Sequence, residues 1–96
     1  MDNLRIIPLD KTNAGPFAAY LLPAARETIA KGEPIYAVGA ADGSHVFGAA
    51  AARMKEDELR VFSLFVDPGA RRLGIGRALI EGLGERCKAA GEEVSG

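Results

Sequence analysis

The stretch Leu64-Phe65-Val66-Asp67-Pro68-Gly69-Ala70-Arg71-Arg72-Leu73-Gly74-Ile75-Gly76-Arg77-Ala78-Leu79 decides how this chain is read. An apolar, strand-like run ends at Asp67-Pro68-Gly69, because proline cannot donate to a strand ladder and glycine accepts the turn. A helical run follows from about Gly74 to Ala89, with Ala78, Leu79, Leu83, Cys87 and Ala90 on one stripe and Gly91 as its stop. Between them lies Arg71-Arg72-Leu73-Gly74-Ile75-Gly76, at a strand-to-helix turn. That placement describes an anion cradle. The first N–H groups of a helix lack intrahelical acceptors and sit at the positive end of its dipole. Glycines let the backbone approach a phosphate closely, and arginines neutralise its charge.

Working upstream, Glu58 to Val66 alternates Leu59, Val61 and Ser63 against Arg60, Phe62 and Leu64, and its polar members drop out toward the end. This predicts a strand increasingly buried on both faces. Lys55-Glu56-Asp57 is a turn, preceded by a strand from His45 to about Met54 and, across an Asp42-Gly43 hairpin signal, by a strand from Ile35 to Ala41. The Gly48 to Ala52 run is unusual in a strand, since alanine is a weak strand former. The turns on either side favour strand, and the small side chains would let other elements pack closely on the sheet. Leu4 to Leu9 is a first short strand, followed by turn and capping residues Asp10 to Asn13. Pro16 suits a first helical position, with Phe17, Tyr20 and Leu21 on one face. Pro23 ends that turn or begins a second helix through Arg26, Ile29 and Ala30, which Gly32 and Pro34 stop.

Composition narrows the function. The chain has 96 residues, 48% of them hydrophobic, enough for one small core. A formal net charge of -1 with mixed signs provides no basic field for nucleic acid. Cys87 is the only cysteine, so no intrachain disulfide or multi-cysteine zinc site can form, and no metal is expected. The N-terminal residues lack a basic start followed by an apolar signal core, and no apolar run reaches membrane-spanning length, so the chain reads as soluble and cytoplasmic. Other phosphate motifs fit worse. No third glycine stands where a dinucleotide fingerprint needs one, and there is no Gly-x-x-x-x-Gly-Lys-Ser/Thr loop.

Leu64-Phe65-Val66-Asp67-Pro68, then Arg71-x-x-Gly74-x-Gly76, then Arg77-Ala78-Leu79, resembles the acetyl-coenzyme A binding segment of the GNAT N-acetyltransferase superfamily, written Arg/Gln-x-x-Gly-x-Gly/Ala. The resemblance implies an α/β (α+β) fold with a mixed, mainly antiparallel sheet and flanking helices, in the order β-α-α-β-β-β-α. Residues 1–96 would form one partial domain. The family domain would continue for about another 50 residues, so the usual C-terminal strands and helix would be lacking. It also implies acetyl-coenzyme A as cosubstrate, held by Leu64, Phe65, Val66, Arg71, Arg72, Leu73, Gly74, Ile75, Gly76 and Arg77. The strand ending at Val66 would pair with the amides of the pantetheine arm.

The resemblance further implies direct attack by a primary amine, on a small molecule or a peptide, in one ternary complex with no covalent enzyme intermediate. An N–H near Leu64 to Val66 would face the developing oxyanion, where the family's strand carries a bulge. The acid is not assigned: the family's usual tyrosine follows the fifth strand, and this chain's tyrosines are Tyr20 and Tyr36. Tyr20 is a core residue or lines the acceptor wall. Glu58 is a solvated charge or a remote base acting through water. His45 is an exposed strand start, Ser63 lacks triad partners, and Cys87 belongs to the buried stripe. An unpaired strand edge would invite a second copy to complete the sheet. The alternative is a non-catalytic coenzyme A binding half-domain or a dimerisation module.

Overall fold

The computed structural model describes residues 4–43, 45–70 and 73–91. Strands β1 (Arg5–Pro8), β2 (Tyr36–Asp42), β3 (His45–Lys55) and β4 (Glu58–Val66) form one antiparallel sheet in the order β1-β2-β3-β4. A 3-10 helix (Gly15–Tyr20) and α1 (Pro23–Ala30) connect β1 to β2. A short 3-10 turn (Pro68–Ala70) leads from β4 toward α2 (Ile75–Ala89).

The sheet is the middle of three layers. Phe17, Leu21, Ala25 and Ile29 pack on one face, against Ala37, Ala41, Ala49 and Ala51. Ile75, Leu79 and Leu83 of α2 pack on the other, against Val38, Ala40, Ala50 and Ala52. The alanine run is thereby explained. Successive strand residues face opposite sides, so Ala49 and Ala51 serve one layer and Ala50 and Ala52 the other, all fully buried. A side chain as small as alanine lets both helical layers approach the sheet.

Local chemistry sets the connections. The Asp10 carboxylate accepts from the backbone N–H and the hydroxyl of Thr12, while Asn13 Oδ1 accepts the Asp10 N–H at 2.8 Å. Asn13 Nδ2 donates to the Pro8 carbonyl at 2.9 Å, which closes the turn after β1. The element that contains Pro16 is a six-residue 3-10 helix, Gly15–Tyr20, rather than an α-helical turn, with bonds from Phe17 to Ala14 and from Leu21 to Ala18. Pro23, without an N–H, cannot extend it and instead opens α1.

Three further expectations are corrected. Asp42 pairs with His45, so Asp42 belongs to β2 rather than to the turn, and Gly43 takes the left-handed conformation. The buried stripe of α2 starts at Ile75 and runs through Leu79, Leu83 and Cys87, whereas Ala78 is half-buried and Ala90 exposed. Positions four apart stack on one face, so a stripe through Leu79 extends back to Ile75 rather than to Ala78. The end of β4 is not buried on both faces: Leu64 is 42% and Phe65 47% exposed. The reason is topological, since β4 is an edge strand among the described residues.

Candidate functional site

The site begins at the edge of β4. Asp67 donates its N–H to the Phe47 carbonyl of β3 at 2.7 Å, which fixes the direction of the strand's last peptide groups. Peptide groups alternate sides along a strand. Phe65, opposite Ala49, therefore turns its polar groups to β3, and Leu64 and Val66 present theirs to the open edge. Free N–H and C=O groups at the end of an apolar edge strand can bind an extended molecule by strand addition.

β4 also carries a bulge. Ala51 pairs with Ser63 but Ala52 with Val61, leaving Phe62 as the extra residue. The irregularity lies just before Leu64, and it adds local twist to the strand that carries the open groups. Both Phe62 and Ser63 face the layer of the 3-10 helix and α1. Arg53 stacks over the Phe62 ring at 4.4 Å from its centroid. The buried Ser63 hydroxyl accepts the Leu22 N–H at 3.1 Å, joining β4 to the corner between the 3-10 helix and α1.

Beyond Val66 the chain turns at Asp67, whose Oδ1 accepts the Gly69 N–H at 2.9 Å. The helix α2 begins after Gly74, which holds φ +74 in the left-handed region favoured by glycine. Among the described residues no side chain caps this helix, and a Cβ at Gly74 would meet none of their atoms within 4 Å. A Cβ at Gly76 would meet only Val66 Cγ2, at 3.8 Å. An uncapped helix start under open space is what a diphosphate needs, because its oxygens can reach N–H groups that have no other acceptor.

The sequence-chosen residues divide as follows. Leu64, Phe65 and Val66 lie on the edge strand, and Leu73, Gly74, Gly76 and Arg77 surround the start of α2. Ile75 has its side chain in the core, 1% exposed, so only its backbone can serve the site. Arg77 is exposed and pairs with Glu81 at 3.2 Å, a surface ion pair of small energetic weight. Arg71 and Arg72 lie outside the described residues.

Tyr20 packs against the core cluster under the 3-10 helix, with its hydroxyl 3.5 Å from Asp67 Oδ2 and 3.5 Å from the Val46 carbonyl. Glu58 stands at the other end of β4, paired with Arg60 at 3.2 Å, roughly 20 Å from Leu64 at the usual rise per residue. His45 is exposed and stacks on Phe47, and Cys87 is buried near Met54. The side-chain contacts of Asp67 with Tyr20 and of Ser63 with Leu22 join elements far apart in the chain, which no local pattern encodes. Among the described residues no group of three or more His, Cys, Asp or Glu could hold a metal ion, and no helix is long and apolar enough to cross a membrane.

Comparison with known proteins gives the family. Residues 10–95 match the acetyltransferase (GNAT) domain family. Among solved structures, the ribosomal-protein-S18-alanine N-acetyltransferase of Escherichia coli superposes with a TM-score of 0.66 at 23% identity, over 93% of this chain and 62% of that one. An aminoglycoside acetyltransferase from an uncultured soil metagenomic sample gives a TM-score of 0.65 at 24% identity, over 95% of this chain and 76% of that one. The chain thus spans about three fifths of the length of the first. No curated protein sequence matches it.

Proposed function

Because the chain belongs to the acetyltransferase (GNAT) family, we propose that it binds acetyl-coenzyme A and passes the acetyl group to a primary amine. Residues 1–96 act as part of one domain in this reading. The observation that carries it is the continuity of the open β4 edge at Leu64 and Val66 with the uncapped start of α2 behind Gly74. The first suits the amides of the pantetheine arm and the second suits the pyrophosphate.

Bound acetyl-coenzyme A supplies an activated thioester: the neutral amine nitrogen forms a C–N bond to the acetyl carbon, the C–S bond breaks, and one proton lost from that nitrogen is balanced by the one that the departing thiolate takes up to leave as coenzyme A thiol. The chain's own residues bind and orient. The outward N–H groups of Leu64 and Val66 hold the arm and face the oxygen on which negative charge develops. Backbone N–H groups at Ile75 and Gly76, with Arg71, Arg72 and Arg77, take the pyrophosphate charge. The exposed Phe65 and the Leu22 corner form an apolar wall on the face from which an amine would approach.

The test is to mix the chain with acetyl-coenzyme A and a panel of small amines, aminoglycosides and peptide N-termini, and to measure free thiol. Amine-dependent thiol release supports transfer. Binding of cofactor with no release under any amine supports the non-catalytic binding module instead. A second reading, in which another copy pairs along the open β4 edge, is favoured by the exposure of Leu64 and Phe65 there. It requires a solution mass that doubles with concentration.

A further inference from the structure

Tyr20 poses a question that core packing does not answer. Its ring packs against the cluster formed by Phe17, Leu21 and the sheet alanines, where phenylalanine would fill the same space. The hydroxyl reaches past the core to Asp67 Oδ2 and the Val46 carbonyl, each at 3.5 Å. Asp67 is itself engaged on every side. Its N–H donates to Phe47 at 2.7 Å, its carbonyl accepts from Ala70 at 2.8 Å, and its Oδ1 accepts from Gly69 at 2.9 Å. The Tyr20 hydroxyl, with one proton to give to either Oδ2 or the Val46 carbonyl, faces the fourth of its polar groups.

We propose that Tyr20 is a positioning residue for the cofactor segment, acting through the Asp67 carboxylate. This rests on the cofactor reading given above. Asp67 is the last residue before the 3-10 turn Pro68–Ala70, and that turn determines where the chain leaves β4 on its way to Gly74. The buried Ala70 anchors its far end. A carboxylate held at one oxygen by Gly69 alone can rotate toward water. Held at the second oxygen by Tyr20, it fixes the turn relative to the Leu64–Val66 edge. The two halves of the proposed cofactor site, strand edge and helix start, are thereby kept in register. Tyr20 sits two residues before Leu22, whose N–H is bound to Ser63 of β4. The same corner therefore grips β4 at Ser63 and the turn at Asp67, on either side of Leu64 to Val66.

The experiment compares wild type with Tyr20→Phe, Asp67→Asn and the double variant in this chain. Acetyl-coenzyme A affinity is measured by calorimetry and folding by thermal unfolding. Tyr20→Phe should leave the core packed and the cooperative transition intact while weakening binding about 3- to 10-fold, the range one hydrogen bond supports. Asp67→Asn should weaken it similarly. The double variant should be no weaker than the worse single variant by more than about 2-fold, because both remove one linked interaction. In the transfer assay the loss should appear in the KM for acetyl-coenzyme A, with kcat nearly unchanged. A Tyr20→Phe protein that binds like wild type overturns the proposal, as do fully additive losses. Should Asp67→Asn not fold, the Tyr20→Phe comparison decides alone. A wild-type chain that binds no acetyl-coenzyme A overturns the cofactor reading and this proposal together, whereas normal wild-type binding with an unaffected Tyr20→Phe overturns only the proposal.

Discussion

The ring of Phe17 lies against the backbone of Gly39 so closely that a Cβ there would come within 2.4 Å of two ring carbons. Glycine in the middle of β2 is therefore a packing requirement of the 3-10 helix above it. Gly39→Ala should destabilise the fold by about 1–3 kcal/mol, because a flat ring in a close-packed core cannot step aside. Urea unfolding of the variant measures this, and an unchanged midpoint would show that the helix is not seated on the strand as described.

Leu79 and its neighbour Ile80 should respond very differently to truncation. Leu79 is fully buried between α2 and the sheet, whereas Ile80 is 40% exposed. Leu79→Ala should cost about 2–5 kcal/mol through lost burial and a residual cavity. Since small domains have only about 5–15 kcal/mol in total, that variant should be marginally folded. Ile80→Ala should cost clearly less, and equal losses would contradict the orientation of α2.

Gly74 and Gly76 make a second contrasting pair. Gly74→Ala places a Cβ at φ +74 and should lose about 1–2 kcal/mol to backbone strain. Gly76→Ala meets only an ordinary contact with Val66 inside the helix, so it should gain up to about 1 kcal/mol from helix propensity. The motif admits alanine at the second position, and Gly76→Ala should accordingly keep its cofactor. Thermal unfolding of the two variants should shift in opposite directions.

The Thr12 hydroxyl, helped by the Thr12 N–H, holds the Asp10 carboxyl below its ordinary pKa. A lowered folded value means that the ionised group favours the folded state. Its contribution is complete above the unfolded pKa and disappears as pH falls through the folded one. Asp10 is fully exposed, so the effect on stability is small and the cleaner readout is the titration itself. NMR titration should give a depressed midpoint in wild type, and Thr12→Ala should raise it. An unmoved midpoint would remove the hydroxyl as the cause.

Much of this fold is legible in the sequence because its punctuation is strong. Asp67-Pro68-Gly69 ends β4, Pro23 opens α1, and the Gly48 to Ala52 run reads as strand because turns bracket it. Where local pattern misleads, tertiary context decides. The apolar run Leu64-Phe65-Val66 has the composition of a buried strand, but it occupies an edge, and edges are a property of topology. Glycine and arginine spacing predicts a phosphate cradle, and the structure puts Gly74 and Gly76 at the start of α2. The contacts of Asp67 with Tyr20 and of Ser63 with Leu22 could not be read from spacing, because each joins residues more than 40 positions apart.

In the proposed function the open edge of β4 and the start of α2 together hold acetyl-coenzyme A. Calorimetric titration of the chain with acetyl-coenzyme A tests it most directly. Saturable binding at one site per chain, displaced by free coenzyme A and weakened by added salt, is the predicted result. A folded chain that takes up no acetyl-coenzyme A at millimolar ligand would contradict it.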